Sequence, residues 1–463
     1  MDHTYQEDEH NMRFVIVGGG PAGVHAASYA ARLGAEVTVI EKDVLGGAAN
    51  LWDCVPSKAM IATGNAIKMS QRADRLGLST QPLYPDLEAL KLRVSQITEK
   101  LAKSFDQLLC SQGVRVIKGL GRIQSKHEVV ATLADGTEET ILADAILVAT
   151  GSRPRIPEWA KVDGDRILTT RDAYPPREIP EHLVVIGSGV TGVEFVHMFR
   201  SFGSKVSLVV SRQQVLPAKD PEVAAALEAD FLESGVSLYK GARAVGIELD
   251  SKGVKVLCDD QRVIRGSHAL LAIGSVPNSE ELGLENAGVF VDRWGQVPVD
   301  HHCVSNVPHI YAAGDLSGKL PLASVASMQG RKVAEHVMGL DGRQHRHLDY
   351  EKAASAIFTE PEIADVGLAE AEAFAQGRKI RVTKVPFASN PRALIDGDPR
   401  GFVKIISDPA TSVVLGGSIV GGHAAELISV IAVAVTARLR VTDIVESLLV
   451  HPALAEALAE AAE

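Results

Sequence analysis

One hydrophobic signature occurs twice along the chain. Arg13 to Val17 (RFVIV) is a short, nearly unbroken apolar run, the pattern of a strand covered on both faces in a parallel sheet. It leads straight into GGGPAG, from Gly18 to Gly23. An Ala-rich helix is predicted from Val24 to Leu33, and a second strand from Glu36 to Ile40 that ends at Glu41. Together these make a βαβ unit of about thirty residues. The pattern returns with a strand at Leu183–Ile186, GSGVTG from Gly187 to Gly192, a helix, and a second strand at Lys205–Val210. Two such units in one chain imply an α/β fold with two Rossmann-like dinucleotide-binding domains.

Two further segments resemble each other, VATGSRP (148–154) and AIGSVPN (272–278). Each reads as a strand ending in Gly and then Pro, a natural exit from a nucleotide domain. Residues 310–315 (IYAAGD) read as a strand ending on an acid. From about residue 348 the pattern changes. Short β-rich runs, FVKII (402–406) and VVLGGSIV (413–420), precede helices from His423 onward, and Leu454–Glu463 reads as a terminal helix. This last part is an α+β module without a nucleotide fingerprint. The expected boundaries are 1–155, 156–278, 279–347 and 348–463, the first and third forming one domain around the second.

Composition narrows the partners. Charged residues at 23% and hydrophobic residues at 46% are those of an ordinary globular protein, and the net charge of −11 disfavours nucleic acid or an anionic membrane. The leader containing Glu7, Asp8 and Glu9 lacks the basic start and apolar core of a signal peptide and reads as a disordered tail. No apolar run approaches the ~18 residues of a membrane span, so no membrane insertion is expected. Cys54, Cys110, Cys258 and Cys303 are far apart and form no CxxC pair, which argues against a metal site or a disulfide framework and for a cytoplasmic setting. All but Cys54 are expected to be buried.

The glycines carry chemistry at their spacing. In the first turn Gly18 permits the tight bend, Gly20 lets backbone approach a pyrophosphate, and Gly23 lets helix pack on strand. The helix N-terminus then presents N–H groups and a positive dipole end to phosphate. Glu41 stands where an acid accepts hydrogen bonds from a ribose. Gly187, Gly189 and Gly192 repeat the set, but there the second strand ends in Val210, Ser211 and Arg212. Without an acid, Ser and Arg can accommodate a 2′-phosphate, so NADPH is tolerated or preferred. The alternative is an Arg212 that simply faces solvent.

GGGPAG with Glu41, VATGSRP, GSGVTGVEF and YAAGD together resemble the pyridine nucleotide–disulfide oxidoreductases, which include lipoamide dehydrogenase, glutathione reductase, mercuric reductase and soluble transhydrogenase. The resemblance spans nearly the whole chain. FTEPEIADVGL (358–368) is similar to the start of the family's dimer-interface domain, which implies a C-terminal α+β dimerisation domain and a homodimer. It implies FAD at the first fingerprint, held by Gly18, Gly20, Pro21, Ala22 and Gly23, by Glu41 and Lys42, and by Gly47 and Lys58. Gly121, Ala149, Thr150, Gly151, Asp315 and Ala323 would complete that site, with Ala326 and its neighbours starting a helix near the flavin ring. NAD(P)H would bind at Gly187, Gly189, Val190, Gly192, Glu194, Ser211, Arg212 and Gly274.

The informative departure is GGAANLWDCVPSK (46–58). Family disulfide reductases carry a cysteine at the position of Ala49, the thiol that attacks the substrate, and a second one at Cys54, against the flavin. A disulfide needs two sulfurs, so this site is expected to show little lipoamide, glutathione or mercuric reductase activity. Cys54 is then either in charge-transfer contact with FAD or a space-filler. The resemblance also implies a Lys58–Glu194 ion pair beside flavin N5, where a cation stabilises negative charge. His451, before Pro452, with Glu456 matches the family's acid–base pair, which reaches the other subunit's flavin site, although Leu449 and Ala453 replace its usual neighbours. The pair is either a proton donor to a quinone oxygen or a structural remnant. Taken together, the segment is most similar to a quinone-reducing actinobacterial branch of the family, in which electrons leave the flavin directly for a quinone-type acceptor. A soluble NAD(P)+ transhydrogenase, or a flavin-bearing subunit of a 2-oxoacid dehydrogenase complex without turnover, are the alternatives.

Overall fold

Arg13–Val17 is the middle strand of a five-stranded parallel sheet. The order is Ile310–Ala312, Ala145–Val148, Arg13–Val17, Glu36–Glu41 and Arg115–Lys118. Its apolar side chains are almost wholly buried on both faces, which is why the sequence reads as a run and not as an alternation. This computed structural model describes residues 11–340 and 347–463; Glu7, Asp8 and Glu9 lie outside the described residues.

The chain packs as two compact units. The first comprises the segments up to Pro56, Ser95–Arg153 and Ser275–Leu348, and holds the sheet just described. Its first helix is Pro21–Arg32, beginning earlier than the expected Val24 because Pro21 supplies a preset helical φ at the first position. Ala22, Ala26, Ala27 and Ala30 make its buried face small. The helix Ala323–Val337 crosses it so closely that a Cβ on Gly330 would lie 2.1 Å from the Ala22 carbonyl oxygen. A three-stranded antiparallel sheet, Leu120–Ser125, Glu128–Thr132 and Glu138–Leu142, covers the other side of the core. The run 310–315 is a strand only as far as Ala312. Gly314, at φ +68°, turns the chain into a 3₁₀ turn over Gly314–Ser317, which carries Asp315.

The second unit comprises Ser57–Val94, Pro154–Gly274 and Asp349–Glu463. It holds a second five-stranded parallel sheet, ordered Ser237–Lys240, Lys205–Val210, His182–Ile186, His268–Leu271 and Ile167–Thr169. The helix Val190–Ser201 packs on it. The C-terminal part is the expected α+β module. In it an antiparallel sheet of Ser355–Ile357, Ile363–Gly367, Val414–Val420, Phe402–Ser407 and Arg381–Pro386 lies against the helix Ala424–Ala437. The last helix is Glu456–Ala462, a little shorter than expected.

One burial expectation is corrected. Cys258 and Cys303 are buried, but Cys110 is exposed. It lies on the outer face of the amphipathic helix Leu87–Ser111, beside the fully buried Leu109. Among the described residues no helix is long and apolar enough to cross a membrane.

Candidate functional site

The first glycine turn has a separate physical reason at each position. Gly18 adopts φ +104°, and a Cβ there would lie 2.4 Å from the Ala149 carbonyl oxygen. A Cβ on Gly23 would lie 2.0 Å from the Gly18 carbonyl oxygen. Both glycines are therefore required by the fold itself. Gly20 differs: it has ordinary extended angles, φ −71° and ψ −170°, and a Cβ would meet nothing within 4 Å. The helix it opens, with Pro21 first and Ala22 next, has no side-chain cap and no acid in its first turn. Gly20 thus borders open space at an uncapped positive helix end, which is what a pyrophosphate needs.

Glu41 stands at the rim of this turn and is buried. Its Oε2 accepts from the Gly19 N–H at 2.6 Å and its Oε1 from the Asp43 N–H at 2.6 Å. Burial raises its pKa above the usual glutamate value, and the two N–H donors oppose that rise. Lys42 beside it is exposed. Gly47, at φ +58°, closes on the turn: its Cβ would lie 2.8 Å from the Gly20 Cα. Gly46 N–H donates to the Gly19 carbonyl at 2.8 Å. Thr150 Oγ1 donates to the Asn278 carbonyl at 2.7 Å, while Gly151 takes φ +69° where the chain leaves Ala145–Val148. Ser152 Oγ donates to Asp315 Oδ2 at 2.5 Å. Ala323 is the first residue of its helix. Gly121 has a packing reason to be glycine, since its Cβ would lie 2.8 Å from Val17 Cγ1.

The second turn reproduces the first. Gly187 has φ +112° with its Cβ position 2.2 Å from the Ala272 carbonyl oxygen, and Gly192 would place a Cβ 1.9 Å from the Gly187 carbonyl oxygen. Gly189, at φ −73° and ψ −175°, again meets nothing within 4 Å. Val190 opens an uncapped helix with no acid in its first turn, and Gly274 matches Gly151 with φ +92°. Ser211 and Arg212, after the strand Lys205–Val210, are both exposed.

Within residues 46–58 the cysteine position and the lysine fall on two elements consecutive in the chain. Ala49–Asp53 is a π-helical turn closed by the Cys54 N–H donating to the Ala49 carbonyl at 3.2 Å. Cys54 is half-buried, and the helix Val55–Gln71 begins directly after it. On that helix Lys58 Nζ donates to Glu194 Oε2 at 2.8 Å. Glu194, only 5% exposed, is on Val190–Ser201. Its other oxygen, Oε1, accepts from the Phe358 N–H at 3.0 Å, and Lys58 Nζ stands 5.0 Å from the Phe358 ring centroid. A buried carboxylate satisfied at both oxygens fixes the ammonium in place.

His451 and Glu456 form a dyad. His451 Nδ1 is 2.7 Å from Glu456 Oε1, and Glu456 Oε2 accepts from the Ala453 N–H at 2.9 Å. The backbone donor first, and His451 second, hold the Glu456 pKa below the usual value. The imidazole is exposed, its Nδ1 engaged by the carboxylate.

Three contributors escape a reading of the sequence. Phe358 acts on Glu194 through its backbone N–H, which has no residue signature. Gln329, 1% exposed, accepts the Gly314 N–H at 2.7 Å and braces the turn that carries Asp315. Ser152 sits inside the VATGSRP segment but is marked there only by its bond to Asp315.

Residues 12–330 match the pyridine nucleotide-disulphide oxidoreductase model and residues 353–462 the dimerisation domain of that family. A Mycobacterium tuberculosis protein named NAD(P)H dehydrogenase (quinone) is 43% identical, over 97% of this chain and 93% of its own length. A dihydrolipoyl dehydrogenase of Zymomonas mobilis is 34% identical over 96% of each. Among solved structures, LpdA of M. tuberculosis superposes with TM-score 0.93 at 42% identity, covering 97% of this chain and 99% of that one. The HOCl-induced flavoprotein disulfide reductase RclA of Escherichia coli superposes with TM-score 0.86 at 25% identity, covering 97% and 99%.

Proposed function

Because the chain belongs to the pyridine nucleotide–disulphide oxidoreductase family, we propose that it is an FAD-dependent NAD(P)H oxidoreductase that delivers electrons to a quinone-type acceptor without a dithiol relay. The observation that carries this reading is at the redox segment. Ala49–Asp53 forms a π turn closed by the Cys54 N–H, yet position 49 offers a methyl group and no sulfur, while Lys58 is paired with Glu194. Bound FAD supplies a two-electron carrier between the nicotinamide and the acceptor.

The residues have separable tasks. Gly20 and the uncapped helix behind it receive the FAD pyrophosphate, and Glu41 accepts from its ribose. Gly189 does the same for the nicotinamide dinucleotide, with Ser211 and Arg212 admitting a 2′-phosphate, so NADPH is accepted. Lys58, its position fixed by buried Glu194, would supply a positive charge beside the flavin and so favour its reduction. His451, oriented through Nδ1 by Glu456, offers a proton from Nε2 to an acceptor oxygen. With a methyl group at position 49, Cys54 is not part of a dithiol exchange cycle. The name of the M. tuberculosis relative supports the acceptor class. The enzyme is expected to work as a cytoplasmic homodimer.

The test uses the FAD-loaded protein with NADPH or NADH and, separately, a naphthoquinone, lipoamide, oxidised glutathione and thio-NAD+. The expected result is turnover with the quinone and little with either disulfide. Disulfide reduction at rates comparable with the quinone overturns the proposal, and thio-NAD+ reduction exceeding quinone reduction replaces it with transhydrogenation.

A further inference from the structure

Outside both nucleotide sites, three histidines converge. His301, His302 and His347 each place a ring nitrogen so that these atoms all lie within 4.8 Å of one another. The ring centroids of His301 and His302 are 4.0 Å apart, those of His301 and His347 4.4 Å, and those of His302 and His347 5.0 Å. His301 and His347 are exposed and His302 is half-buried.

Adjacent residues rarely direct their side chains to one point, and here a tight turn makes them do so. Asp300 Oδ1 accepts the N–H groups of His302 and Val304 at 2.8 and 2.9 Å, and Cys303 takes φ +65°. The His302 ring is braced from behind. It stacks on His336 at 4.5 Å between centroids, and His336 Nδ1 is hydrogen-bonded to the Tyr311 hydroxyl at 2.8 Å. His336 stands in the last turn of Ala323–Val337, whose C-terminal dipole end favours a cation. That end is roughly 20 Å along the helix from Ala323.

We propose that His301, His302 and His347 form a binding site for a divalent transition metal of the zinc and copper class. Imidazole nitrogen is a preferred donor for these ions and a poor one for magnesium or calcium. Metal–nitrogen bonds of about 2.0–2.1 Å require the ring nitrogens to draw together from their present spacing, which the two exposed rings can do by rotating about their side-chain bonds. Three protein ligands leave a fourth position to water. The ion would tie the Asp300–Cys303 turn to the chain at His347 and so stabilise the first unit.

The test uses the full-length, FAD-loaded protein without an affinity tag, stripped with a chelator and titrated with ZnCl2 by calorimetry. Binding of a single Zn2+ per chain is expected, with a rise in Tm at saturation. Substituting the exposed ligands, His301→Gln with His347→Gln, should weaken binding by about a hundredfold or more and abolish the rise in Tm, while the far-ultraviolet circular dichroism is unchanged. Cobalt(II) should give the visible absorption of a low-symmetry nitrogen-ligated ion in the wild type and lose it in the double variant. Wild-type affinity weaker than about millimolar overturns the proposal, as does a double variant that binds Zn2+ with unchanged affinity.

Discussion

At the scale of single residues, the redox segment turns on one methyl group. The backbone around Ala49 is closed by the Cys54 N–H at 3.2 Å, so the two positions are held within one turn of each other. Ala49→Cys should therefore form a disulfide with Cys54 on mild oxidation, since residues five apart across a π turn share one face. Counting free thiols before and after oxidation checks this: the variant should lose two and the wild type none. A variant that keeps every thiol would show that the turn does not bring the side chains together. Glu41 bears a different load. Burial raises its pKa, so between its unfolded and folded values the folded state holds more protons. Its contribution to stability is thus present at low pH and is lost as pH rises through the folded pKa. The flavin-free protein should gain Tm relative to Glu41→Gln as pH is lowered through that window, and the same substitution should weaken FAD retention. A pH-independent difference between the two proteins would contradict the assignment.

At the scale of elements, each glycine turn divides into positions that build the fold and a position that leaves room. Gly23→Ala and Gly192→Ala would drive a Cβ to 2.0 and 1.9 Å from backbone oxygen and should disrupt the helix–strand packing. Gly20→Ala and Gly189→Ala meet no protein atom within 4 Å and have angles open to any residue, so both should fold. Gly20→Ala should then lose FAD. Gly189→Ala should keep FAD and raise KM for NAD(P)H, read from flavin absorbance and steady-state kinetics. Normal cofactor binding in both would remove the reason offered for these glycines. Both βαβ units were legible in the sequence because buried parallel strands read as apolar runs and the glycine spacing is set by backbone geometry. Less legible was anything carried by backbone donors or by tertiary packing. Phe358 holds Glu194 through its N–H, Gln329 caps Gly314 through a buried amide, and Cys110 faces out because of the periodicity of a helix that no motif marks. Asp315 reads from the sequence as the end of a strand; the positive φ of Gly314 puts it on a 3₁₀ turn.

At the scale of the whole molecule, the question is which protomer each catalytic group serves. The segment that matches the dimerisation-domain model exposes Val433, Leu448 and Val450, large apolar side chains of the kind a partner surface covers. The exposed His451–Glu456 dyad lies close by in sequence. If His451 serves the flavin site of the other protomer, as the family resemblance implies, its loss and the loss of Lys58 should complement each other. Consider a heterodimer of one His451→Gln protomer and one Lys58→Met protomer, isolated with two different tags. The His451→Gln protomer keeps Lys58 and would receive His451 from its partner, so one site is whole and the other lacks both groups. Turnover with a quinone should then recover to about half that of the wild-type dimer, whereas each homodimeric variant is slow. If instead His451 serves its own chain, both sites are defective and nothing is recovered. Ferricyanide, which takes single electrons and no proton, separates the roles further. Against it the His451→Gln homodimer should match the wild type, and the Lys58→Met homodimer should remain slow.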